Sequence, residues 1–171
     1  DPKWLYPRQG NLAGAVVGSL VTAQGRVYFA SGTGTVYVLD AIEGYKVWDF
    51  RTGERIWSTP AVAGDTLFIG TFGDKLYALN VADNGTKKWE FKAGGAIVAT
   101  PAVDGDTVYI GSFDRHLYAL DTANGSLRWK FMAQNWFWAK PVVYNGMIYA
   151  GSLDGKFYVI KASDGQKVTE F

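Results

Sequence analysis

An all-β chain built from four-stranded antiparallel sheets is the class this sequence predicts. Three observations predict it: one phrase written four times, strand-length runs inside each copy, and glycine-rich turns between the runs. The phrase reads Val27-Tyr28-Phe29-Ala30-Ser31, Leu67-Phe68-Ile69-Gly70-Thr71, Val108-Tyr109-Ile110-Gly111-Ser112 and Ile148-Tyr149-Ala150-Gly151-Ser152. A second run follows each time, led by Tyr37, Tyr77, Tyr118 or Tyr158, and these tyrosines are 40, 41 and 40 residues apart. A fixed period of that size belongs to repeat architectures, in which each unit buries its apolar surface against the next.

Within a copy the elements follow in order. The first strand is Leu20-Val21-Thr22, Pro60-Ala61-Val62, Pro101-Ala102-Val103 or Pro141-Val142-Val143. Proline cannot donate to a sheet ladder, so its recurrence there assigns this strand to a sheet edge. Gln24-Gly25, Gly64-Asp65, Gly105-Asp106 and Asn145-Gly146 then supply two-residue hairpin turns into the repeated phrase, which is the second strand. Thr33-Gly34, Gly73-Asp74, Asp114-Arg115 and Asp154-Gly155 turn into the third. Asp40, Asn80 and Asp121 open the next loop as Asx turns, a pattern Lys161 breaks in the last copy. Gly44, Gly85, Gly125 and Gly165 lie in that loop, where a residue without Cβ most easily takes a positive φ.

The fourth strand is Trp48-Asp49-Phe50, Trp89-Glu90-Phe91, Trp129-Lys130-Phe131 and a degraded Thr169-Glu170-Phe171. Alternation puts its two aromatics on one face and its charge on the other. A lone sheet of this kind is apolar on both faces and must stack on a neighbour, and radial repetition, the β-propeller, satisfies that need. The tryptophans Trp4, Trp48, Trp89 and Trp129 are expected to dock between blades, with Trp→Ala costing on the order of 3–5 kcal/mol. The expected organisation is a single domain, residues 1–171, with blades at 15–50, 56–91, 97–131 and 137–171. Residues 1–10, containing Trp4-Leu5-Tyr6, are expected to form the last strand of a preceding blade. Four blades are expected to be part or half of a ring of about seven or eight, completed by a longer chain or by a homodimer.

Composition narrows the functional classes. At 48% hydrophobic and 16% aromatic the chain can bury a core, and no apolar run is long enough for a membrane-spanning helix. Asp1-Pro2-Lys3-Trp4 carries no targeting pattern, so any such segment is expected to precede this sequence. Net charge is +1 with the signs interspersed, which argues against nucleic acid as a partner. There is no cysteine, which excludes thiol catalysis and disulfides. The single His116 is read as a solvated turn residue, and the aspartates, recurring at equivalent positions, as turn formers. No catalytic residue, metal site or cofactor is expected.

The spacing Asp-x-x-x-Gly-x-x-x-Trp, at Asp40, Gly44 and Trp48 and again at Asp121, Gly125 and Trp129, resembles the tryptophan-docking motif of the PQQ-type, quinoprotein-like propeller repeats. Gly111-Ser112-Phe113-Asp114 leading to Leu117-Tyr118-Ala119-Leu120-Asp121 resembles it too. The resemblance covers nearly the whole chain. It implies one of three roles: a non-catalytic BamB-like scaffold that binds protein or peptide, a fragment of a PQQ-dependent dehydrogenase, or the sensor domain of a membrane kinase. The scaffold is preferred, since the dehydrogenases of this family carry a vicinal cysteine pair and this chain has none. The resemblance further implies the periplasmic or extracellular side of a bacterial membrane, with membrane association through flanking sequence.

Residues that depart from the repeat are not required to maintain it, and they concentrate in the connections before each first strand. These are Arg51 to Trp57, Lys92 to Val98 and Met132 to Trp138. In a propeller these connections share one end of the axis, the upper face, with the turns carrying Phe72, Phe113, Leu153, Lys75, Arg115, His116 and Lys156. Trp, Tyr and Arg are the commonest binding anchors, so Arg55, Trp57, Arg115, His116, Trp136 and Trp138 are the candidate contact residues. Trp57 and Trp138 have an equally good alternative as plugs of the channel or fillers between blades.

Overall fold

The computed structural model describes residues 3–7 and 14–171. The described residues form sixteen strands in four antiparallel sheets, each in sequence order from one edge to the other. The first blade holds β1 (Val21–Ala23), β2 (Arg26–Ala30), β3 (Thr35–Asp40) and β4 (Lys46–Arg51). The second holds β5 (Ala61–Ala63), β6 (Thr66–Gly70), β7 (Lys75–Asn80) and β8 (Thr86–Lys92). The third holds β9 (Ala102–Asp104), β10 (Thr107–Gly111), β11 (His116–Asp121) and β12 (Leu127–Met132). The fourth holds β13 (Val142–Tyr144), β14 (Met147–Gly151), β15 (Phe157–Lys161) and β16 (Lys167–Glu170). No helix among the described residues is long and apolar enough to cross a membrane.

The short strands β1, β5, β9 and β13 are sheet edges, and Pro60, Pro101 and Pro141 sit just ahead of the last three, where no ladder bond needs their missing N–H. These four strands neighbour one another in order, while β1 and β13 do not touch, so the blades stand in an open arc. Each third-to-fourth strand pairing slips at the same place, between Val38 and Leu39, Ala78 and Leu79, Ala119 and Leu120, and Val159 and Ile160. One bulge per blade adds local twist to the outer edge.

Three apolar cores fill the seams. Tyr28, Val36, Val38 and Trp48 of the first blade meet Leu67, Ile69, Tyr77 and Leu79 of the second. Phe68, Leu76 and Trp89 meet Val108, Ile110, Tyr118 and Leu120; Tyr109, Leu117 and Ala119 meet Ile148, Ala150, Tyr158 and Ile160. The loop glycine of the next blade sits under each outer-strand indole: Trp48 on Gly85, Trp89 on Gly125, Trp129 on Gly165, and Trp4 on Gly44. At Gly85, Gly125 and Gly165 φ is +74°, and a Cβ would fall 2.6 Å from the ring, so conformation and space both demand glycine. Indole N–H groups donate to loop carbonyls from Trp4 to Ala41 (3.2 Å), Trp89 to Thr122 (3.0 Å) and Trp129 to Ala162 (2.9 Å).

The segment expected as a strand at 1–10 differs. Residues 3–7 pair with no ladder, because an outermost strand needs the third strand of its own blade beside it; residues 1–2 and 8–10 lie outside the described residues. Trp4 and Tyr6 nevertheless cover Val27, Phe29 and Leu39 on the first blade.

Candidate functional site

Every connection between blades is stapled at both ends by backbone hydrogen bonds. Thr52 N–H donates to Gly34 of the first blade, and Phe72 N–H of the second donates to Arg55. Ala93 donates to Asp74 while Phe113 donates to Ala96, and Ala133 donates to Arg115 while Leu153 donates to Trp136. Just past the second staple Ile56, Ile97 and Phe137 point in and are buried, Ile97 lying against Gly70 and Phe137 against Gly111, and in the first and third connections exposed residues alternate with the buried one. That alternation turns Arg55 and Trp57, and likewise Trp136 and Trp138, outward.

The outward rings join across three blades. Trp57 lies 4.7 Å from Phe72, and Phe72 meets Phe113 edge-on at 6.1 Å. Phe113 stacks on Trp136 at 4.4 Å and 9°, and on Trp138 at 5.2 Å and 25°. Trp57, Phe72, Trp136 and Trp138 are between 37% and 47% exposed, so the ridge is held by its own stacking yet open to a ligand. Trp57 and Trp138 therefore stand on the surface of this ridge. Sequence reasoning placed Phe72 and Phe113 on this face but did not choose them as contacts; their signal was an aromatic at the same turn position of consecutive repeats.

Charge around the ridge is unevenly satisfied. Lys75 lies 3.8 Å from Glu54 and 3.9 Å from Glu90, Lys92 lies 3.7 Å from Asp74, and Lys156 binds Glu170 at 2.5 Å. Arg51, Arg55 and Arg115 have no side-chain hydrogen bond or ion pair among the described residues. Arg115 adopts a left-handed φ of 73°. That turn makes the next residue the first of β11, and His116 is accordingly not a solvated turn residue. Its ring is one-fifth exposed, with Nδ1 3.1 Å from the Asp114 carbonyl oxygen and the ring 5.5 Å from that of Tyr118. The structure thus sets His116 apart from the ridge.

The aspartates of these turns are occupied locally. Asp114 accepts from Gly94 N–H (2.7 Å), His116 N–H (3.0 Å) and the Tyr118 hydroxyl. Burial would raise its pKa, but these bonds outweigh it and hold the carboxyl below the usual range, while burial and the carboxylate push Tyr118 up. Asp154 repeats the arrangement with Gln134, Lys156 and Tyr158, and Tyr158 is pushed up to about 12 by burial and then by that carboxylate. The second blade has Gly73 at the matching position, and Glu54 reaches in from the connection to accept from Thr71 at 2.5 Å. Among the described residues no three His, Asp or Glu side chains are grouped so as to hold a metal ion.

Stacked four-stranded sheets with indole-on-glycine seams and a loop-built aromatic end define a propeller-type repeat protein. The family model described as outer membrane protein assembly factor BamB, of PQQ-type repeats, matches residues 7–99 and 82–168, and the chain belongs to that family. Among solved structures it is similar to BamB from Moraxella catarrhalis, with a TM-score of 0.83 and 22% identity over 96% of this chain and 55% of that one. This chain therefore spans about half the length of that BamB. It is also similar to the computationally designed Ika4 protein, with a TM-score of 0.80 and 18% identity, covering 88% of this chain and 93% of that one. A quinohemoprotein alcohol dehydrogenase from Pseudomonas putida HK5 matches with a TM-score of 0.81 and 17% identity over 94% of this chain and 34% of its own. A search of curated proteins found no match.

Proposed function

We propose that the chain is a non-catalytic, extracytoplasmic scaffold that binds protein or peptide partners through its upper face. The observation that carries this reading is the aromatic ridge from Trp57 through Phe72 and Phe113 to Trp136 and Trp138, with Arg55 and Arg115 in the same connections and turns and without ionic partners among the described residues. Large rings with accessible faces and unpaired guanidinium groups are what binding anchors are made of, and here no fold requirement absorbs them. Belonging to the family of an outer membrane protein assembly factor supports partners in that assembly process and a periplasmic location. The indoles on Gly44, Gly85, Gly125 and Gly165 are assigned the separate task of docking blades.

Titration with extended peptides from the strands of an outer-membrane β-barrel protein, followed by tryptophan fluorescence, tests the reading. Saturable binding is expected, and Trp136→Ala and Arg55→Ala should each weaken it about tenfold, a hot-spot loss of about 1.4 kcal/mol, while the protein stays folded. No binding, or binding indifferent to both substitutions, overturns the ridge as the site. Alcohol oxidation by a dye-linked assay after addition of quinone and calcium overturns the non-catalytic role and favours the dehydrogenase reading.

A further inference from the structure

The upper end of the molecule sorts its charges by direction. Its carboxylates are turned into the fold: Asp114 and Asp154 each accept two backbone N–H bonds and a tyrosine hydroxyl, and Glu54 accepts from Thr71 beside Lys75. Asp74 has Lys92 at 3.7 Å. The side chains of Asp114, Glu54 and Asp74 are only 13%, 25% and 28% exposed. Arg51, Arg55 and Arg115 are exposed and make no side-chain hydrogen bond or ion pair among the described residues. What this end offers a partner is therefore guanidinium donors and ring faces, its own acids being already engaged.

The connections give these groups a shape. Arg55 and Trp57 in the first connection correspond to Ala96 and Val98 in the second and to Trp136 and Trp138 in the third, since Arg55, Ala96 and Trp136 hold the same staple. Ala96 and Val98 are small and each only 8% exposed. The surface thus dips between two tryptophan ends, and the rings of Phe72 and Phe113, 6.1 Å apart, span the dip. Each end has its own guanidinium. Arg55 stands with Trp57 on the outward side of buried Ile56, and the Arg115 carbonyl accepts the Ala133 N–H that anchors the connection carrying Trp136 and Trp138.

We infer that the occupant of this ridge is an acidic, extended segment of a protein, with apolar side chains seated between the tryptophan ends and carboxylates on Arg55 and Arg115. The inference rests on the ridge being the binding surface. In an extended chain every second side chain faces the same way, so acids and apolar residues taking turns along one side reach guanidinium and ring alike. A carboxylate meets a guanidinium through two parallel N–H···O bonds, which an amide matches only without the charge and an ammonium opposes. Lipid is the poorer fit: three free arginines fall short of the about four to eight clustered basic residues that hold a protein on anionic membrane, and a net charge of +1 adds no wider field.

Titration of the intact chain with three capped peptides, each about ten residues long and followed by tryptophan fluorescence, decides it. Every second residue is serine, and those between alternate an apolar residue with glutamate, glutamine or lysine. The glutamate peptide should bind about tenfold tighter than the glutamine peptide in about 50 mM salt, the lysine peptide should bind most weakly, and the gap should shrink to about twofold in about 0.5 M salt. Arg55→Gln and Arg115→Gln should each narrow the gap between glutamate and glutamine peptides, and Arg55→Lys should narrow it less; Trp136→Ala should weaken both peptides alike. Equal affinity for the glutamate and glutamine peptides overturns the acidic preference and leaves the ridge as the site, whereas failure of all three peptides to bind removes the ridge reading and this inference with it. A gap untouched by both arginine-to-glutamine substitutions, or a response to phosphatidylglycerol vesicles without one to the glutamate peptide, would also overturn the acidic segment as the occupant.

Discussion

The second and third blades are the same object by shape and differ in where two of its groups come from. The third receives Trp89 with a hydrogen bond from the indole to Thr122, while the second receives Trp48 with its indole N–H buried and without a partner among the described residues. The matching carbonyl, that of Val81, is taken by Arg26 at 2.5 Å. In the upper corner the third blade uses its own Asp114, whereas the second uses Glu54 from the preceding connection. What these two blades both keep is a ring on a glycine and a carboxylate in a turn. The residue that supplies the hydrogen bond is free to change.

The comparison is most severely tested at the rings. Trp89→Ala should cost about 3–5 kcal/mol in chemical denaturation, and Trp48→Ala about 1 kcal/mol less, because only the former also leaves a loop carbonyl without its donor. Equal losses would mean the indole hydrogen bond contributes nothing to a seam.

A smaller effect is expected in the corner. Asp114→Asn should cost about 1–2 kcal/mol at neutral pH, the lower part of the range for hydrogen bonds to a charged group, since solvent reaches this turn. The folded-state pKa of Asp114 lies below its ordinary value. Its stabilisation is therefore fully present above about pH 4 and is lost as pH falls through the folded value, so wild type and variant should converge in acid. Urea titrations at several pH values check this, and a pH-independent difference would assign the loss to packing. The smallest change is expected for Arg26→Met, which frees Val81 for Trp48. Stability should move by less than about 1 kcal/mol, and the indole N–H resonance of Trp48 should shift to a hydrogen-bonded position.

Much of this was legible in the residues. The period, the hairpin turns, the edge prolines and the positive-φ loop glycines all rest on local chemistry that recurs within one repeat, whereas the seating of each tryptophan on the next blade's glycine does not. What escaped was the exchange of partners across repeats. Arg26 and Val81 lie 55 positions apart in different blades, so no pattern within a unit links them. The Glu54 substitution had a faint mark, since Gly73 stands where Asp114 and Asp154 stand, but its source lies in the irregular connection. For the ridge, the tryptophans were visible and their joining through Phe72 and Phe113 was not, because stacking across blades depends on the angle between sheets. His116 was misplaced by one position of turn geometry, which a left-handed arginine decides.

The double staple on each connection has a further consequence. Because main-chain atoms of Thr52, Arg55, Ala93, Ala96, Ala133 and Trp136 tie the connections to the blades, with the Thr52 hydroxyl adding bonds to Gly34 and Glu54, the angle between sheets depends little on which outward side chains those loops carry. Exchanging one connection's outward residues for another's should redirect recognition while the architecture stays put, which gives this end of the molecule the character of an interchangeable face on a constant frame.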